Sequence, residues 1–241
     1  PTTVTGTVKS TSSGGPLGRP ASGSIALIGS ATSVFQIQNS STVKLNQDAS
    51  FTIQAWVKRD RSKKADTLMS AGIDQLRRGF AVRYTEDRLF AMEFGGDDLV
   101  VGAKIGGYNH TNKWMHWSIK FSASREANPE KGQYQRDPFQ SVYLNGAQEG
   151  NRKSGGNVAA EGALTVGRHY KPDDPQPFKG AMDELRFWDR ALADSVIATN
   201  FNEQLEISDG LVATLTFDDM GTPYKDYSGK GNSAEAPPSV E

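Results

Sequence analysis

Apolar and polar residues alternate along many short segments of this chain. Residues 51–58 show the pattern most fully, with Phe51, Ile53, Ala55 and Val57 alternating with Thr52, Gln54, Trp56 and Lys58. Residues 114–121 repeat it, with Met115, Trp117, Ile119 and Phe121 on one side. A period of two predicts β-strands that present one face to the core. Trp56 is large for a solvent-facing position, so we expect a second layer or a ligand against it.

The segment FKGAMDELRFWDRAL, residues 178–192, organises the predicted fold. Its first part has a period close to two and ends as a strand at Trp188. The period then becomes helical, because the following apolar residues fall on one helical face: Ala191, Leu192, Val196, Ile197 and Phe201. We therefore predict a central strand, a joint over residues 189–194 and a helix that closes the fold.

Short strands and frequent turns account for most of the remaining chain. The Asn145–Gly146 pair is the strongest turn signal and predicts a hairpin between residues 141–144 and 147–149. Further strands are predicted over residues 24–29, 33–38, 67–71, 79–84, 89–94, 99–105, 164–167 and 211–217. About thirteen strands and one short helix indicate an all-β fold, in which two antiparallel sheets pack as a jelly-roll sandwich.

Composition divides the chain into two parts. Residues 1–23 are rich in Thr, Ser, Gly and Pro, which predicts a linker or tether with at most one short strand. Residues 24–241 are predicted to form one domain, because their length suits a single large sandwich. Inside that domain, residues 122–140 are polar and long for a β connection, so we expect an exposed functional loop or a disordered one.

The charge balance and the absence of cysteine exclude several classes of function. With 27 basic and 28 acidic residues, the chain offers no electrostatic basis for binding nucleic acid or an anionic membrane. No apolar run reaches 18 residues, so we predict no membrane insertion. The chain has no cysteine, which removes disulfides and thiol chemistry. The three histidines, His110, His116 and His169, have no zinc-binding spacing.

Several segments occur in an order that resembles one protein family. They are FTIQAWVKRD, WMHWSIKF, VYLNGAQEG, ALTVGRHY, FKGAMDELRFWDRAL and LVATLTFDD, followed by DYSGKGNSAE. Over residues 24–234 the chain is similar to the concanavalin A-like, laminin G-like jelly rolls that are related to pentraxins. The resemblance implies the same sandwich fold and an extracellular or cell-surface location. It also implies binding of carbohydrate or protein, often with calcium, although many members are only structural.

The resemblance implies a structural calcium ion at Asp183, with backbone oxygens of Gly29 and Ser30 as further ligands. Calcium takes six to eight oxygen ligands, and a carboxylate with carbonyl groups would serve. Ile28 stands where relatives commonly have an acid, which removes one ligand. The alternative is that Asp183 pairs with a neighbour such as Arg186. A second acidic cluster, which is either a calcium site or a set of solvated turn residues, comprises Asp218, Asp219, Asp226 and Asn232.

Glycoside hydrolysis is a candidate activity because β-glucanases have the same jelly-roll fold. Retaining enzymes place two carboxylates about 5.5 Å apart. The E-x-D-x-E spacing of those enzymes does not occur in this sequence. Asp183 and Glu184 are adjacent on a predicted strand, so we expect them on opposite faces. We therefore predict that the protein is not an enzyme.

Sugar recognition needs an aromatic platform with planar polar groups beside it, and loops commonly hold such sites. The predicted recognition edge combines two loop segments with residues 122–140. Its ligand-binding candidates are Tyr108, Asn109, Asn112, Arg168, Tyr170, Asp173 and Asp174. The alternative is that these tyrosines only cap the ends of strands.

These observations favour a non-catalytic binding or adhesion module of a larger secreted or surface protein. Its expected partners are a carbohydrate or a cell-surface protein, and neighbouring domains of the same polypeptide. A purely structural domain of a multidomain enzyme or toxin is the alternative, and a glycoside hydrolase is the third hypothesis.

Overall fold

The computed structural model describes residues 9–11, 23–37, 44–60, 64–102, 107–123, 127–128, 133–134, 138–155, 159–160, 162–203, 208–219 and 224–235. Within these ranges the elements in chain order are β1 (Lys9–Thr11), β2 (Ser24–Ile28), β3 (Phe35–Ile37), β4 (Leu45–Asn46), β5 (Phe51–Arg59), β6 (Asp66–Gly72), β7 (Gly79–Tyr84), β8 (Phe90–Glu93), β9 (Leu99–Val101), β10 (Trp114–Ser122), β11 (Ala127–Asn128), β12 (Gln133–Tyr134), β13 (Phe139–Leu144), β14 (Ala147–Lys153), β15 (Ala159–Ala160), β16 (Thr165–Val166), β17 (Lys179–Trp188), α1 (Asp194–Asn200), β18 (Leu211–Leu215) and β19 (Ala234–Glu235).

Two large antiparallel sheets form the sandwich. The first has the order β1-β2-β17-β5-β10-β13-β14, and β18 also pairs with β17. The second has the order β19-β3-β16-β6-β7-β8-β9. Two short ladders, β11-β12 and β15-β4, lie outside these sheets. The predicted all-β jelly-roll sandwich with one short helix is confirmed.

Strand β17 lies at the centre of the first sheet, as the sequence predicts. One edge pairs with β5, while the other pairs first with β2 and then with β18. A bulge between Asp183 and Arg186 interrupts the ladder with β5, and Glu184 has a φ of 50° there. Bulges bend a strand and increase its twist. This bend lies where the outer partner of β17 changes from β2 to β18.

The core fills the space between the two sheets. The inward-facing positions of β5 and β10 belong to the core, with Met115 half-buried at its edge, which confirms the predicted alternation. Trp117 stacks on Phe90 of the opposite sheet, with ring centroids 3.8 Å apart and an interplanar angle of 4°. Burying one such side chain stabilises the fold by about 1.5–3 kcal/mol.

A covering layer that contains α1 packs on the outward face of the first sheet. Phe201, directly after α1, contacts Trp56 at 6.3 Å and His116 at 5.8 Å between ring centroids. Lys120 on the same face pairs with Asp194 at the start of α1. The expected second layer over Trp56 is therefore present. Among the described residues, no helix is long and apolar enough to cross a membrane.

The structure differs from the predicted organisation in two segments of the chain. Residues 9–11, inside the predicted tether, form β1 and pair with β2, so part of that segment belongs to the sandwich. Residues 127–128 and 133–134, inside the predicted long loop, pair as β11 and β12. Most of residues 1–23, and the side chains of residues 124–137, lie outside the described part of the chain.

Candidate functional site

A cavity of about 520 Å³ opens on the outward face of the second sheet. We call it the Tyr170 cavity. Its lining comes from residues within three loop segments, 74–76, 95–98 and 169–176, and from Arg83 and Glu93 on β7 and β8. The two strand residues face outward because their neighbours Val82 and Met92 belong to the core. The cavity therefore has two strands as its floor and loops around its open rim.

Main-chain hydrogen bonds fix the loop that carries Tyr170 across the sheet. The hydroxyl of Ser70 on β6 donates to the carbonyl of Arg168 at 2.8 Å. The amide of Thr67 on the same strand donates to the carbonyl of Gln176, also at 2.8 Å. Within the loop, the amide of His169 donates to the carbonyl of Pro175 at 2.7 Å. The loop is thus tied to β6 at both ends, which holds Tyr170 in one place.

The half-buried ring of Tyr170 is seated against Gly79 at the start of β7. A Cβ at position 79 would lie 2.2 Å from the Cζ atom of Tyr170, so only glycine leaves room for the ring. The ring also lies beside His169, with centroids 4.1 Å apart. Glycine at position 79 therefore allows the ring of Tyr170 to lie close to the sheet.

An ion pair crosses the floor of the Tyr170 cavity. Nη2 of Arg83 lies 2.6 Å from Oε1 of Glu93, and Nε2 of His169 lies 3.9 Å from Oε2 of Glu93. Burial alone would raise the pKa of Glu93, but His169 and Arg83 outweigh it and lower that pKa. Glu93 is therefore an ionised carboxylate that is held by two partners.

Further polar groups line the rim. Lys171 lies 2.8 Å from Asp74, and the side-chain amide of Gln176 donates to Asp174 at 2.6 Å. Asp98 accepts the backbone N–H groups of Phe94 and Gly96 through Oδ1. Burial, and next the charge of Glu93, raise the pKa of Asp98. The cavity thus combines one aromatic ring with amides, carboxylates and paired cations.

The structure divides the predicted recognition edge. Tyr170 and Asp174 line the Tyr170 cavity, and Arg168 lines an adjoining hollow of about 150 Å³. Asp173 is exposed and lies outside both linings.

The other half of the predicted edge lies at the opposite end of β7. The amide of Tyr108 donates to the carbonyl of Arg88 in the β7–β8 turn, and its hydroxyl donates to Glu149 at 2.6 Å. Asn109 and Asn112 are exposed, and the backbone N–H of Asn112 donates to the carbonyl of Arg59. The six residues of β7 span about 20 Å, so the two halves do not form one site.

The register also separates the predicted calcium ligands. β2 and β17 are antiparallel, and Ile28 lies opposite Lys179. Gly29 and Ser30 therefore lie beyond the start of β17, while Asp183 lies four residues inside it, about 13 Å along the strand. These three residues do not come together as the sequence-based alignment predicts, so they do not fit a shared calcium ion.

The surroundings of Asp183 contain two other carboxylates. Burial, and next the charges of Glu184 and Asp218, raise the pKa of Asp183 to about 8. Its Oδ1 accepts the backbone N–H of Glu184 at 2.7 Å. The alternative partner, Arg186, instead donates to the side chain of Glu184 at 2.8 Å. No three His, Asp or Glu side chains in the described ranges are placed to hold a metal ion.

The second acidic cluster includes a turn built around one carboxylate. Asp226 accepts the backbone N–H groups of Thr214, Ser228 and Asn232 at 2.8–3.0 Å, and the hydroxyl of Ser228 at 2.7 Å. Burial alone would raise the pKa of Asp226, but these donors outweigh it and lower that pKa. Both oxygens of Asp226 are engaged by protein donors, which gives the residue a structural role.

Sequence reasoning missed the charged residues of the cavity floor. Arg83 and Glu93 share the outward face with Ala81 and Ala91, and Ala81 lies opposite Glu93 in the register. The sequence signal for this pair was the presence of two charged residues on a hairpin face that otherwise carries alanines. Only the register could show that the two charged residues meet diagonally across β7 and β8.

Solved structures with the same fold include two bacterial proteins. A protein from Bacteroides ovatus named for carbohydrate binding has a TM-score of 0.58 and 18% identity, and the match covers 83% of this chain and 55% of that one. The binding domain of Paraclostridial Mosquitocidal Protein 1 has a TM-score of 0.59 and 15% identity, over 81% and 45% of the two chains. This chain therefore spans about half the length of each of these two proteins.

A third similar structure is the CBM40 of the Ruminococcus gnavus IT-sialidase, solved with α2,3 sialyllactose. Its TM-score is 0.52 at 15% identity, over 74% of this chain and 95% of that one. At such identities the likeness concerns the fold alone.

The sequence itself places the chain in a family. A comparison with curated proteins finds no match. A laminin G family model, described as the concanavalin A-like lectin/glucanases superfamily, matches residues 29–198. Because that match covers most of the sequence and the sandwich has the corresponding fold, the chain belongs to the concanavalin A-like lectin/glucanases superfamily as a laminin G-like member.

Proposed function

We propose that this domain is a non-catalytic glycan-binding module and that the Tyr170 cavity is its binding site. The observation that carries the proposal is a half-buried tyrosine ring surrounded, in one open cavity, by fixed amides and carboxylates. A sugar ring presents an apolar C–H face and a circle of hydroxyl groups. The tyrosine ring suits the first, and planar acceptors suit the second.

The fold relatives support the same class of function. The Bacteroides ovatus protein is named for carbohydrate binding, and the Ruminococcus gnavus module was solved with a bound sugar. We extend this to a role outside the cell, in which the domain attaches a larger secreted or surface protein to a glycan or to a glycan-bearing partner. Neighbouring domains of the same polypeptide would then carry the remaining functions.

A glycan array tests the proposal, with the native protein beside Tyr170→Ala and a matched tyrosine control. Tyr227 is the control, since it is exposed and does not line the cavity. We expect binding by the native protein and by Tyr227→Ala, and binding about tenfold weaker for Tyr170→Ala, which corresponds to about 1.4 kcal/mol. Absence of binding to every glycan would contradict the proposal and favour a purely structural domain.

The same array with EDTA tests the predicted calcium ion. Since Asp183, Gly29 and Ser30 are separated in the structure, we expect glycan binding to be unchanged by the chelator. If EDTA abolished binding and added calcium restored it, the protein would bind calcium through ligands other than these three residues.

Hydrolysis is the second candidate function, because the pKa values of Asp98 and Glu93 move in opposite directions in one cavity. Such a divergence is typical of acid–base pairs. Binding remains the better proposal because Arg83 and His169 already hold the carboxylate of Glu93. Assay of reducing ends released from the best-bound glycan distinguishes the two. Turnover that Glu93→Gln abolishes would establish an enzyme.

A further inference from the structure

We infer that the Tyr170 cavity selects uncharged or cationic sugars and rejects glycans that carry carboxylate or sulfate groups. This inference rests on the proposed function, because it names the class of glycan that the same cavity accepts. It depends on how the charged side chains of the cavity are paired with one another.

Both cations of the cavity lining are already neutralised by carboxylates. Arg83 contacts Glu93 through Nε at 2.8 Å and through Nη2 at 2.6 Å. Lys171 lies 2.8 Å from Asp74. An incoming anion would have to compete with these carboxylates for the same N–H groups. Neither cation is therefore placed as a ready receptor for an acidic sugar.

The histidine of the cavity is directed at the same carboxylate as Arg83. Nδ1 of His169 accepts the backbone N–H of Lys171 at 3.2 Å, so a main-chain donor occupies this nitrogen. Nε2 faces Oε2 of Glu93 at 3.9 Å. Neither ring nitrogen is therefore directed at an incoming acidic group.

Two carboxylates remain without a cation of their own in the lining. Asp98 is held by backbone N–H groups, and Asp174 by the amide of Gln176. Among the lining residues, four acidic side chains stand against the two cations Arg83 and Lys171, so acidic groups are in excess. Sugar hydroxyls can donate hydrogen bonds to these oxygens, whereas a carboxylate or sulfate can only accept.

The titration of Tyr170 is consistent with this excess of negative charge. Burial is the largest cause that raises the pKa of its hydroxyl, and nearby carboxylates add to it against the opposing charge of Lys171. These carboxylates are Glu93, Asp74 and Asp98. The face on which a sugar would stack therefore lies in a negative electrostatic environment, which disfavours an anionic ligand.

Matched glycan pairs test the inference. The strongest neutral ligand from the array is compared by titration calorimetry with its sialylated and sulfated derivatives, at low and at high salt. We expect the acidic derivatives to bind tenfold or more weakly at low salt, and the difference to narrow at high salt because charges are screened. A steric cause would leave the difference independent of salt.

Charge-neutralising variants complete the experiment. Asp98→Asn with Asp174→Asn is expected to reduce the discrimination against acidic derivatives by threefold or more. Asp87→Asn is the control, because Asp87 is exposed in the turn at the far end of the β7–β8 hairpin, and it is expected to keep the full discrimination.

The outcomes separate the two proposals. Tighter binding of an acidic derivative that Tyr170→Ala weakens would overturn the charge selection and leave glycan binding in place. Discrimination that is unchanged in the double variant would also overturn it. Failure to bind any glycan, neutral or acidic, would overturn the proposed function and the charge selection together.

Discussion

Gly79 and Tyr170 show how one missing side chain positions a candidate binding residue. Tyr170 occupies the space that a Cβ at position 79 would need. Because the obstructed group is the far end of a side chain, the loop can give way without unfolding the sheet. A larger residue at position 79 should therefore move the ring without removing any group that could bind a sugar.

We predict that Gly79→Ala displaces the ring of Tyr170 and weakens glycan binding about tenfold, equivalent to about 1.4 kcal/mol. Titration calorimetry on Gly79→Ala, Tyr170→Ala and the double variant measures the effect. If the alanine acts only through the ring, adding it to Tyr170→Ala produces no further loss. Additive losses would show that Gly79 contributes in some other way.

Asp226 illustrates a carboxylate whose role is structural. It accepts the backbone N–H groups of Thr214, Ser228 and Asn232. We predict that Asp226→Asn lowers the free energy of unfolding by about 2–3 kcal/mol, because an amide nitrogen would face backbone donors. Urea denaturation provides the measurement, with Asp219→Asn from the same acidic cluster as the control.

The Asp219→Asn control should lose clearly less stability than Asp226→Asn, because Asp219 is only half-buried and its buried Oδ1 accepts no hydrogen bond from the described residues. Equal losses in the two variants, or a loss that EDTA reproduces in the native protein, would support the alternative that this cluster binds calcium.

At the scale of elements, the covering layer over the first sheet encloses polar groups as well as aromatic ones. His116 lies fully buried between Trp56 and Phe201, and neither of its ring nitrogens has a hydrogen-bond partner within the described part of the chain. Burial, and next the charge of Arg186, lower the pKa of His116 to about 3. This histidine is neutral in the folded protein and takes up its proton only at strongly acidic pH.

We predict that His116 makes the protein sensitive to acid between about pH 6.5 and pH 3. In this window the unfolded chain binds a proton that the folded chain does not, so stability falls by up to about 1.4 kcal/mol per pH unit as the pH decreases. Above pH 6.5 this contribution is constant. Urea denaturation at pH 4, 5, 6 and 7 measures it.

The His116→Leu variant provides the comparison for the pH series. Asp183 has a raised pKa and contributes with the opposite sign, so the difference between the native protein and the variant isolates the histidine. We expect the gap in unfolding free energy to change with pH only below about 6.5. A gap that is the same at all four pH values would contradict the assignment.

The strands with strong alternation could be predicted from the sequence, because a period of two over eight residues is not ambiguous. Alternation of this kind predicted β5, β10 and β17. The turn pair Asn145–Gly146 predicted the hairpin of β13 and β14. The two-residue strands β4, β15 and β19 were missed, since such short segments carry no period. Their pairing depends on contacts between residues far apart in the chain.

The candidate site was only half predictable, for a related physical reason. Tyr170 and Asp174 were found because an aromatic residue and carboxylates stand together in one loop. The Arg83–Glu93 pair depends on the register of β7 and β8, and the seat of Tyr170 depends on Gly79 across the cavity. Local sequence contains neither relation.

At the scale of the whole molecule, the sandwich offers two loop-bearing ends along β7 and β8. One end carries the Tyr170 cavity, and the other carries Tyr108, Asn109 and Asn112. Tyr108 is occupied there, since it bonds to Glu149 and its ring packs against Trp117 with centroids 5.0 Å apart. We therefore assign glycan binding to the first end alone.

Amide chemical-shift mapping with the best-bound neutral glycan tests that assignment most directly. We predict that titration shifts the amide signals of residues within the lining segments, 74–76, 95–98 and 169–176, while the signals of residues 107–112 stay in place. Shifts confined to residues 107–112, or none anywhere at saturating glycan, would contradict the central claim that the Tyr170 cavity is the binding site.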